Sequence, residues 1–177
     1  MYLKKILTYI LVITSILIFL IFGYFLYNKY VFTGELCISY RDIAKKCDSD
    51  KLFTGIHKYY NEGLLHHKIS YKKGKMHGSY KEYNDDGSLS RKYNYRDGFR
   101  HGKFEIYEIG SNYNYKTIGE YENGCKKGIE NKYNYGKVIK KTQFLNCKLH
   151  GEQIDYFSFN GNVWNLRTYD DGLKDGT

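Results

Sequence analysis

The chain has 177 residues, enough for one domain and one short additional segment, and its formal net charge is +9. It contains 21 tyrosines, 18 glycines and no proline, and large aliphatic residues are sparse after residue 53, which argues against a thick globular core. The excess of lysine is compatible with an anionic membrane surface, nucleic acid or an acidic protein as partner, but lysines also serve to solvate a tyrosine-rich sheet.

The first element is an apolar run near the amino terminus. Residues 6–28 carry no charge, and a membrane-spanning helix needs about 20 apolar residues. A cleaved signal peptide is the alternative, but its apolar segment would be about 7–15 residues long, and Ile21 makes a poor cleavage site before Gly23. We predict an uncleaved signal anchor and transmembrane helix within residues 1–28. The charged leader weakly favours a cytoplasmic start, so we expect a single-pass membrane protein with its repeats on the exported side, in a periplasm or at the cell surface.

Residues 29–52 form a predicted juxtamembrane segment, with a possible first strand in the run GELCISYRDI. Cys37 and Cys47 could close a disulfide in an oxidising compartment, whereas a reducing one would leave two thiols. Cys125 and Cys147 fall in neighbouring copies of the repeat described below. Corresponding residues two strands apart are separated by about 9–10 Å, and a disulfide needs Cα atoms within about 7 Å, so we do not expect this second pair to bond.

Residues 53–177 repeat one unit five times. The copies start at Gly55, Gly78, Gly102, Gly128 and Gly151. Five places after these glycines stand the tyrosines of one column, Tyr60, Tyr83, Tyr107, Tyr133 and Tyr156. A second column precedes the next start, with Tyr71, Tyr95, Tyr121, Phe144 and Tyr169, and a third follows it, with Gly74, Gly98, Gly124, Cys147 and Gly172. A fixed period of this size indicates a repeat architecture.

Each copy reads as a β-hairpin. In the second copy, GSYKEY is a strand, NDDG a turn, SLSRKYNY the returning strand and RDGFRHG a second turn. Short connections throughout predict an all-β fold, an elongated single-layer antiparallel meander of about ten strands. The plus-five tyrosines are expected to form a ladder on one face, and the glycines to mark tight bends where a Cβ would clash. Cys147 in the glycine column then implies a relaxed turn or one that tolerates strain.

Two copies depart from the pattern. Copy three contains the longer run EIGSNYNYKTIGEY, so its hairpin tip should project. Copy five contains FSFNGNVWNL with Trp164, the single tryptophan of the chain. This aromatic tip is either an exposed binding surface or a terminal copy that seals its own edge.

The columns resemble the MORN repeat family, in particular its bacterial variant class. The first copy carries the resemblance at Phe53, Thr54, Gly55, Tyr59, Tyr60, Gly63, Tyr71, Gly74, Lys75 and Gly78. The similarity covers residues 53–176, and copies four and five drift most, as at Cys147. Members of this family are scaffolding and membrane-attachment modules, and many bacterial ones are labelled antitoxins. The resemblance implies a non-catalytic binding protein with no catalytic residues to carry over.

The residues that could support catalysis or metal binding are poorly arranged for either. His77, His101 and His150 form a column with steps of about 9–10 Å, whereas zinc binds histidine nitrogens at about 2 Å. Cys147 and His150 are close in sequence, but nothing orients them as a nucleophile and base. The aspartates fall in turns, where turn propensity explains them. We therefore predict no catalytic residue, no metal site and no cofactor.

These observations favour a membrane-anchored, non-enzymatic protein-binding scaffold, with an antitoxin-like or accessory role beside a neighbouring secreted protein as one form of that function. The alternative is a membrane-surface module that binds anionic lipid. Lysine interleaved with tyrosine can also hold a nucleic-acid backbone and stack bases. The expected orientation of the anchor places the repeats in the wrong compartment for nucleic acid, so we disfavour that partner.

Overall fold

The computed structural model describes residues 13–23, 31–32, 36–38, 44–46 and 51–175. Residues 13–23 form helix α1. Within this described part of the chain, no helix is long and apolar enough to cross a membrane. Both ends of the run at 6–28 fall outside the described residues, so the anchor and its orientation stay predictions.

The rest of the described chain is dominated by strands. In chain order they are β1 (Val31–Phe32), β2 (Leu36–Ile38), β3 (Ala44–Lys46), β4 (Gly55–Asn61), β5 (Leu64–Lys72), β6 (Lys75–Tyr83), β7 (Leu89–Arg96), β8 (Phe99–Arg100), β9 (Gly102–Gly110), β10 (Tyr113–Glu122), β11 (Cys125–Asn134), β12 (Lys137–Leu145), β13 (Lys148–Tyr156), β14 (Val163–Asp170) and β15 (Leu173–Asp175). From β4 onward the strands pair antiparallel in sequence order, except that β7 pairs with both the short β8 and β9. β1 joins β4 in parallel, and β2 and β3 form a separate hairpin. The predicted antiparallel meander is confirmed. The large sheet has 13 strands rather than about ten because β1, β8 and β15 add to the five hairpins.

The turns that join one copy to the next are two-residue turns with positive φ at both positions. They are Lys73–Gly74, Asp97–Gly98, Asn123–Gly124, Asn146–Cys147 and Asp171–Gly172. This is the backbone of a type I′ turn, whose twist matches that of the flanking strands. Cys147 holds φ at 70°, a conformation that a side chain disfavours. The prediction of a turn that tolerates strain is confirmed at this position.

The glycines that start the copies mark bulges rather than turns. At Gly78 the pairing changes from Ile69↔Tyr80 to Tyr71↔Met76, so that three residues of β6 face one residue of β5. Pairing shifts by the same two residues near the start glycines of copies four and five. The expected Cβ clash is not the cause at Gly128, where an added Cβ would meet nothing within 4 Å. Its φ of 66° instead lies in the left-handed region that favours glycine.

A recurring backbone hydrogen bond connects consecutive between-copy turns, which lie at one end of the strands. The amide of a third-column glycine donates to the carbonyl of the residue two places before the start glycine of the same copy. The distances are 2.7–2.8 Å in Gly74–Phe53, Gly98–Met76, Gly124–Arg100 and Gly172–Leu149. In copies two, three and five this bond therefore links a copy to the one before it, which is how neighbouring repeats stabilise a solenoid-like array.

Buried side chains of the sheet lie on one face, which we call the packed face. Strand alternation and register place on it Tyr71, Tyr93, Phe104, Thr142, Gln153 and Asp155. Phe104 is only 1% exposed and lies over Gly119, its cross-strand partner. A Cβ at Gly119 would come within 2.7 Å of that ring, so glycine is required there for the ring to pack. At the first copy, Ala44 and Phe53 join Tyr71 in a small core.

The expectation that Cys125 and Cys147 do not bond is wrong. They form a disulfide, with Cα atoms 4.5 Å apart, inside the usual range of about 4.4–6.8 Å. Cys125 lies three residues before Gly128, and Cys147 lies three residues after Phe144, which pairs with Gly128. The cysteines are therefore opposite one another on adjacent strands and not two strands apart. The possible Cys37–Cys47 bond stays open, because Cys47 lies outside the described residues.

Candidate functional site

The plus-five tyrosines do not provide the ring contacts of the sheet. Strand alternation places them on the face opposite the packed face, and none of them is buried. Tyr107 donates a hydrogen bond of 2.5 Å to Glu105, and the Lys116 ammonium lies 5.1 Å from the Tyr107 ring centroid. Within the described residues, no plus-five tyrosine contacts another aromatic ring. Tyr156 likewise has the Lys141 ammonium 5.9 Å from its ring centroid, so both Tyr107 and Tyr156 contact charged side chains.

The aromatic ladder is formed instead by Tyr80 and Phe104, which stand two places after a start glycine, by Tyr93, and by Tyr95 and Tyr121 of the second column. Ring centroids are 5.9 Å apart for Tyr80–Tyr93 and Tyr93–Phe104, and 4.9 Å apart for Phe104–Tyr121. The Arg100 guanidinium lies 4.2 Å from the Tyr93 centroid and donates a hydrogen bond of 3.2 Å to the Tyr121 hydroxyl. These rings of copies two and three are packed against each other, so they stabilise the sheet and leave little surface for a partner.

The packed face becomes polar in copies four and five. Asp155, whose side chain is 12% exposed, accepts a hydrogen bond of 3.0 Å from Asn165. Its carboxylate oxygens also lie 3.6 Å from the Lys140 ammonium and 3.7 Å from the Arg167 guanidinium. A buried carboxylate is tolerated when it is paired and hydrogen-bonded in this way. The sequence around Asp155 does not indicate this arrangement, because the partners come from the two neighbouring strands β12 and β14.

At the tip end of copies three to five, a groove of about 600 Å³ opens across β10 to β14. Its lining includes Tyr115, Lys132, Lys140, Asp155, Phe157, Phe159 and Trp164. We call Phe157, Phe159 and Trp164 the tip cluster. Their exposed fractions are 44%, 73% and 56%, and their rings are in contact, with centroids 5.3 Å and 6.3 Å apart for Phe157–Phe159 and Phe157–Trp164.

The tip cluster exists because copy five has a longer loop than its neighbours. Residues 157–162 separate β13 from β14, whereas two residues suffice in copy four. The loop is closed by hydrogen bonds from Gly161 N to Phe157 O at 2.8 Å and from Phe157 N to Asn162 O at 2.9 Å. Asn162 N also donates to the Asn160 side chain at 3.0 Å. The loop is therefore a defined shape that holds two phenylalanines outward.

Copy three forms the other end of the groove. Its extra residues lengthen β9 and β10 rather than the loop, and the tip turn at 111–112 has two residues. Tyr113 stacks on Tyr115 with centroids 5.0 Å apart, and the Lys132 ammonium lies 4.2 Å from the Tyr115 centroid. Lys132 also pairs with Glu108 at 3.2 Å. The groove therefore extends from Tyr115, whose ring faces the Lys132 ammonium, to the exposed Trp164.

The histidine column holds no metal cluster. His77 lies 3.3 Å from Asp97 and His150 lies 3.2 Å from Asp170, each pair on the surface near a between-copy turn. Across the described part of the chain, no three potential ligands are grouped closely enough to hold an ion. The disulfide at Cys147 also removes the thiol that stood near His150 in the sequence.

No model of a known protein family matches the chain, and no curated protein matches it. The resemblance to MORN repeats therefore rests on the columns of the sequence and stays a prediction. What the geometry itself provides is an open groove with apolar walls, two lysine ammonium groups and one paired carboxylate.

Proposed function

We propose that this protein is a non-catalytic protein-binding scaffold and that the tip groove receives an extended segment of its partner. The observation that carries the proposal is the tip cluster, in which Phe159 is 73% exposed and Trp164 is 56% exposed. Large aromatic side chains that lie together on a surface commonly form the centre of a protein interface. The rings of copies two and three, by contrast, are used in packing.

The chemistry of the groove suggests what the segment should contain. Apolar side chains would cover Phe159 and Trp164, and a carboxylate would approach Lys132 or Lys140. Both lysines already have acidic neighbours at 3.2 Å and 3.6 Å, so a new carboxylate would compete for them rather than meet a free charge. We therefore expect apolar contact to set the affinity and charge to set the orientation. Attachment to a membrane through residues 1–28 and an antitoxin-like or accessory role belong to the same hypothesis.

A photo-crosslinking amino acid at position 159, in the native cells, tests this proposal. Position 99 is the matched control, because Phe99 is also an exposed phenylalanine, 61% exposed. It lies beside a between-copy turn, at the opposite end of the strands from the tip loop. We expect a discrete protein adduct from position 159, reduced by Trp164→Ala, and no such adduct from position 99. Equal labelling from both positions would contradict the proposal.

A membrane-surface role is the second candidate, because tryptophan next to lysine is also suited to a lipid–water interface. Liposome pelleting separates the two functions. Binding to anionic vesicles that falls steeply with salt and needs Trp164 would favour lipid. A salt-tolerant protein adduct from position 159 would favour the scaffold.

A further inference from the structure

Four lysines lie in one row across four adjacent strands. The cross-strand pairs are Lys58↔Lys68, Lys68↔Lys81 and Lys81↔Lys92, on β4 to β7. We call these four residues the lysine row. They alternate with residues of the packed face, so the row lies on the opposite face of the sheet. Three strand spacings of about 4.8 Å give it a length of roughly 14 Å.

Three of the four lysines in the row have no carboxylate partner among the described residues. Lys92 approaches Glu105 at 3.2 Å. In the described part of the chain, Lys58, Lys68 and Lys81 have no carboxylate within 4.0 Å. All four side chains are half-buried, so they are not simply extended into bulk water. Like charges directly opposite one another in a sheet are destabilising. Lysines elsewhere in this sheet have an acidic neighbour, as Lys127 has Glu120.

Hydroxyl groups stand beside the row. Ser70 follows Lys68 by two residues and Ser79 precedes Lys81 by two residues, so both serines lie on the same face and on the same side of the row. A line of ammonium groups, three of them without a carboxylate partner, with adjacent hydroxyl donors is complementary to oxyanions spaced along a chain. All four cations are lysine, which binds phosphate as a point charge.

We propose that the lysine row binds a linear phosphate polymer through its charged backbone. A single-stranded nucleic acid is the nearest alternative, since Tyr60 and Tyr83 lie on the other side of the row. These tyrosines are two strands apart, about 9–10 Å, whereas successive bases are separated by about 3.4 Å along a stacked strand. They therefore do not form a continuous stacking platform, and the bare phosphate chain fits the row better. This site is on a different face from the tip groove and does not depend on it.

The test uses the full-length protein and long-chain inorganic polyphosphate, with affinity measured by titration at low and moderate salt. The row variant is K58Q/K68Q/K81Q. The matched control is K72Q/K137Q/K174Q, which removes the same charge from dispersed exposed lysines. We expect the row variant to lose roughly tenfold or more in affinity and to show a shallower salt dependence, whereas the control changes about twofold. The thermal midpoint of the row variant should equal or exceed that of the parent, which shows that it is folded.

Three results would overturn the proposal. The first is equal affinity of the row variant and the control for polyphosphate. The second is binding of polyglutamate as tight as that of polyphosphate and equally dependent on the row, which would identify an acidic protein as the partner. The third is much tighter binding of a single-stranded RNA that is lost in Y60A/Y83A, which would identify a nucleic acid. Loss of the crosslink at position 159 would leave this proposal standing, because that experiment probes the other site.

Discussion

Aromatic side chains serve opposite purposes in the two halves of this sheet. In copies one to three, Tyr71, Tyr93 and Phe104 are 7%, 6% and 1% exposed and pack against one another or against Phe53. In copy five, Phe159 and its neighbours are exposed at a loop. On the same hairpin template, the first half buries these three aromatic rings, whereas the second half buries none among its described residues and gathers exposed rings at one loop.

The difference shows how the second half is stabilised without buried rings. Its packed face holds Thr142, Gln153 and Asp155, and the carboxylate is held by charged and amide partners. The Cys125–Cys147 disulfide lies at the boundary, between the copies that bury rings and those that do not. Polar contacts and a covalent bond thus replace apolar packing where the aromatic residues have been moved outward.

The largest expected effect comes from Phe104→Ala. Removal of a fully buried ring should lower the free energy of unfolding by about 3–5 kcal/mol, because transfer and cavity terms add. Phe99→Ala is the matched control, since that ring is 61% exposed, and it should change stability by less than about 0.5 kcal/mol. Urea denaturation followed by circular dichroism measures both. Similar losses in the two variants would mean that burial does not distinguish the rings.

The second prediction concerns the disulfide. Cys125 and Cys147 are 22 residues apart, and a closed loop of this length stabilises a fold by roughly 3 kcal/mol. We expect C125S/C147S to lose about 2–4 kcal/mol, with Trp164 fluorescence reporting the loss in the second half. When unfolding is followed by Trp164 fluorescence, the parent with its disulfide reduced should lose the same stability as the double variant. An unchanged urea midpoint in the double variant would show that the second half is stable without the bond.

The strand that buries Phe104 also carries a pH-sensitive group on its outer face. Hydrogen bonds from Tyr107, then from Lys116 and Lys92, lower the pKa of Glu105 to about 2. This pKa is below the value of about 4.3 in the unfolded chain. The ionised Glu105 therefore contributes its full stabilisation above about pH 4.3, and this stabilisation is lost as the pH falls toward 2. At pH 7 the free energy of unfolding of the parent should exceed that of Glu105→Gln by roughly 1–2 kcal/mol, after allowance for solvent screening. Near pH 2 the two free energies should be almost equal. A difference that does not vary with pH would contradict this assignment.

A smaller effect is expected at the lysine row. Lys81→Glu places a carboxylate between Lys68 and Lys92, so it should raise stability by about 0.2–1 kcal/mol. Lys137→Glu is the control for a change of charge at an exposed position. Differential scanning calorimetry compares the two thermal midpoints at low salt. A lower midpoint for Lys81→Glu would mean that the lysines do not repel one another.

The local features of this fold could be predicted from the sequence. The third-column glycines place the between-copy turns, because the two-residue turn needs positive φ, and the strands between them follow from the short connections. Cys147 could likewise be assigned to a strained turn. These properties depend on a residue and its immediate neighbours.

The non-local features could not be predicted. The two-residue shifts near Gly78, Gly128 and Gly151 decide which side chains face each other on neighbouring strands, and they depend on pairing between strands. Cys125 and Cys147 fall in neighbouring copies of the repeat, but they lie opposite one another where β11 begins and β12 ends. The columns of the sequence likewise do not show that the plus-five tyrosines lie on the face opposite the aromatic ladder. The groove has a similar cause, because the sequence points to Trp164 whereas Tyr115 and Lys132 come from copies three and four.

The most direct measurement is equilibrium unfolding of F159A/W164A. If the tip cluster is presented to a partner, this variant should unfold within about 0.5 kcal/mol of the parent, as expected for exposed side chains. A loss comparable to that of Phe104→Ala would contradict the account, because it would show that these rings seal the last copy of the sheet.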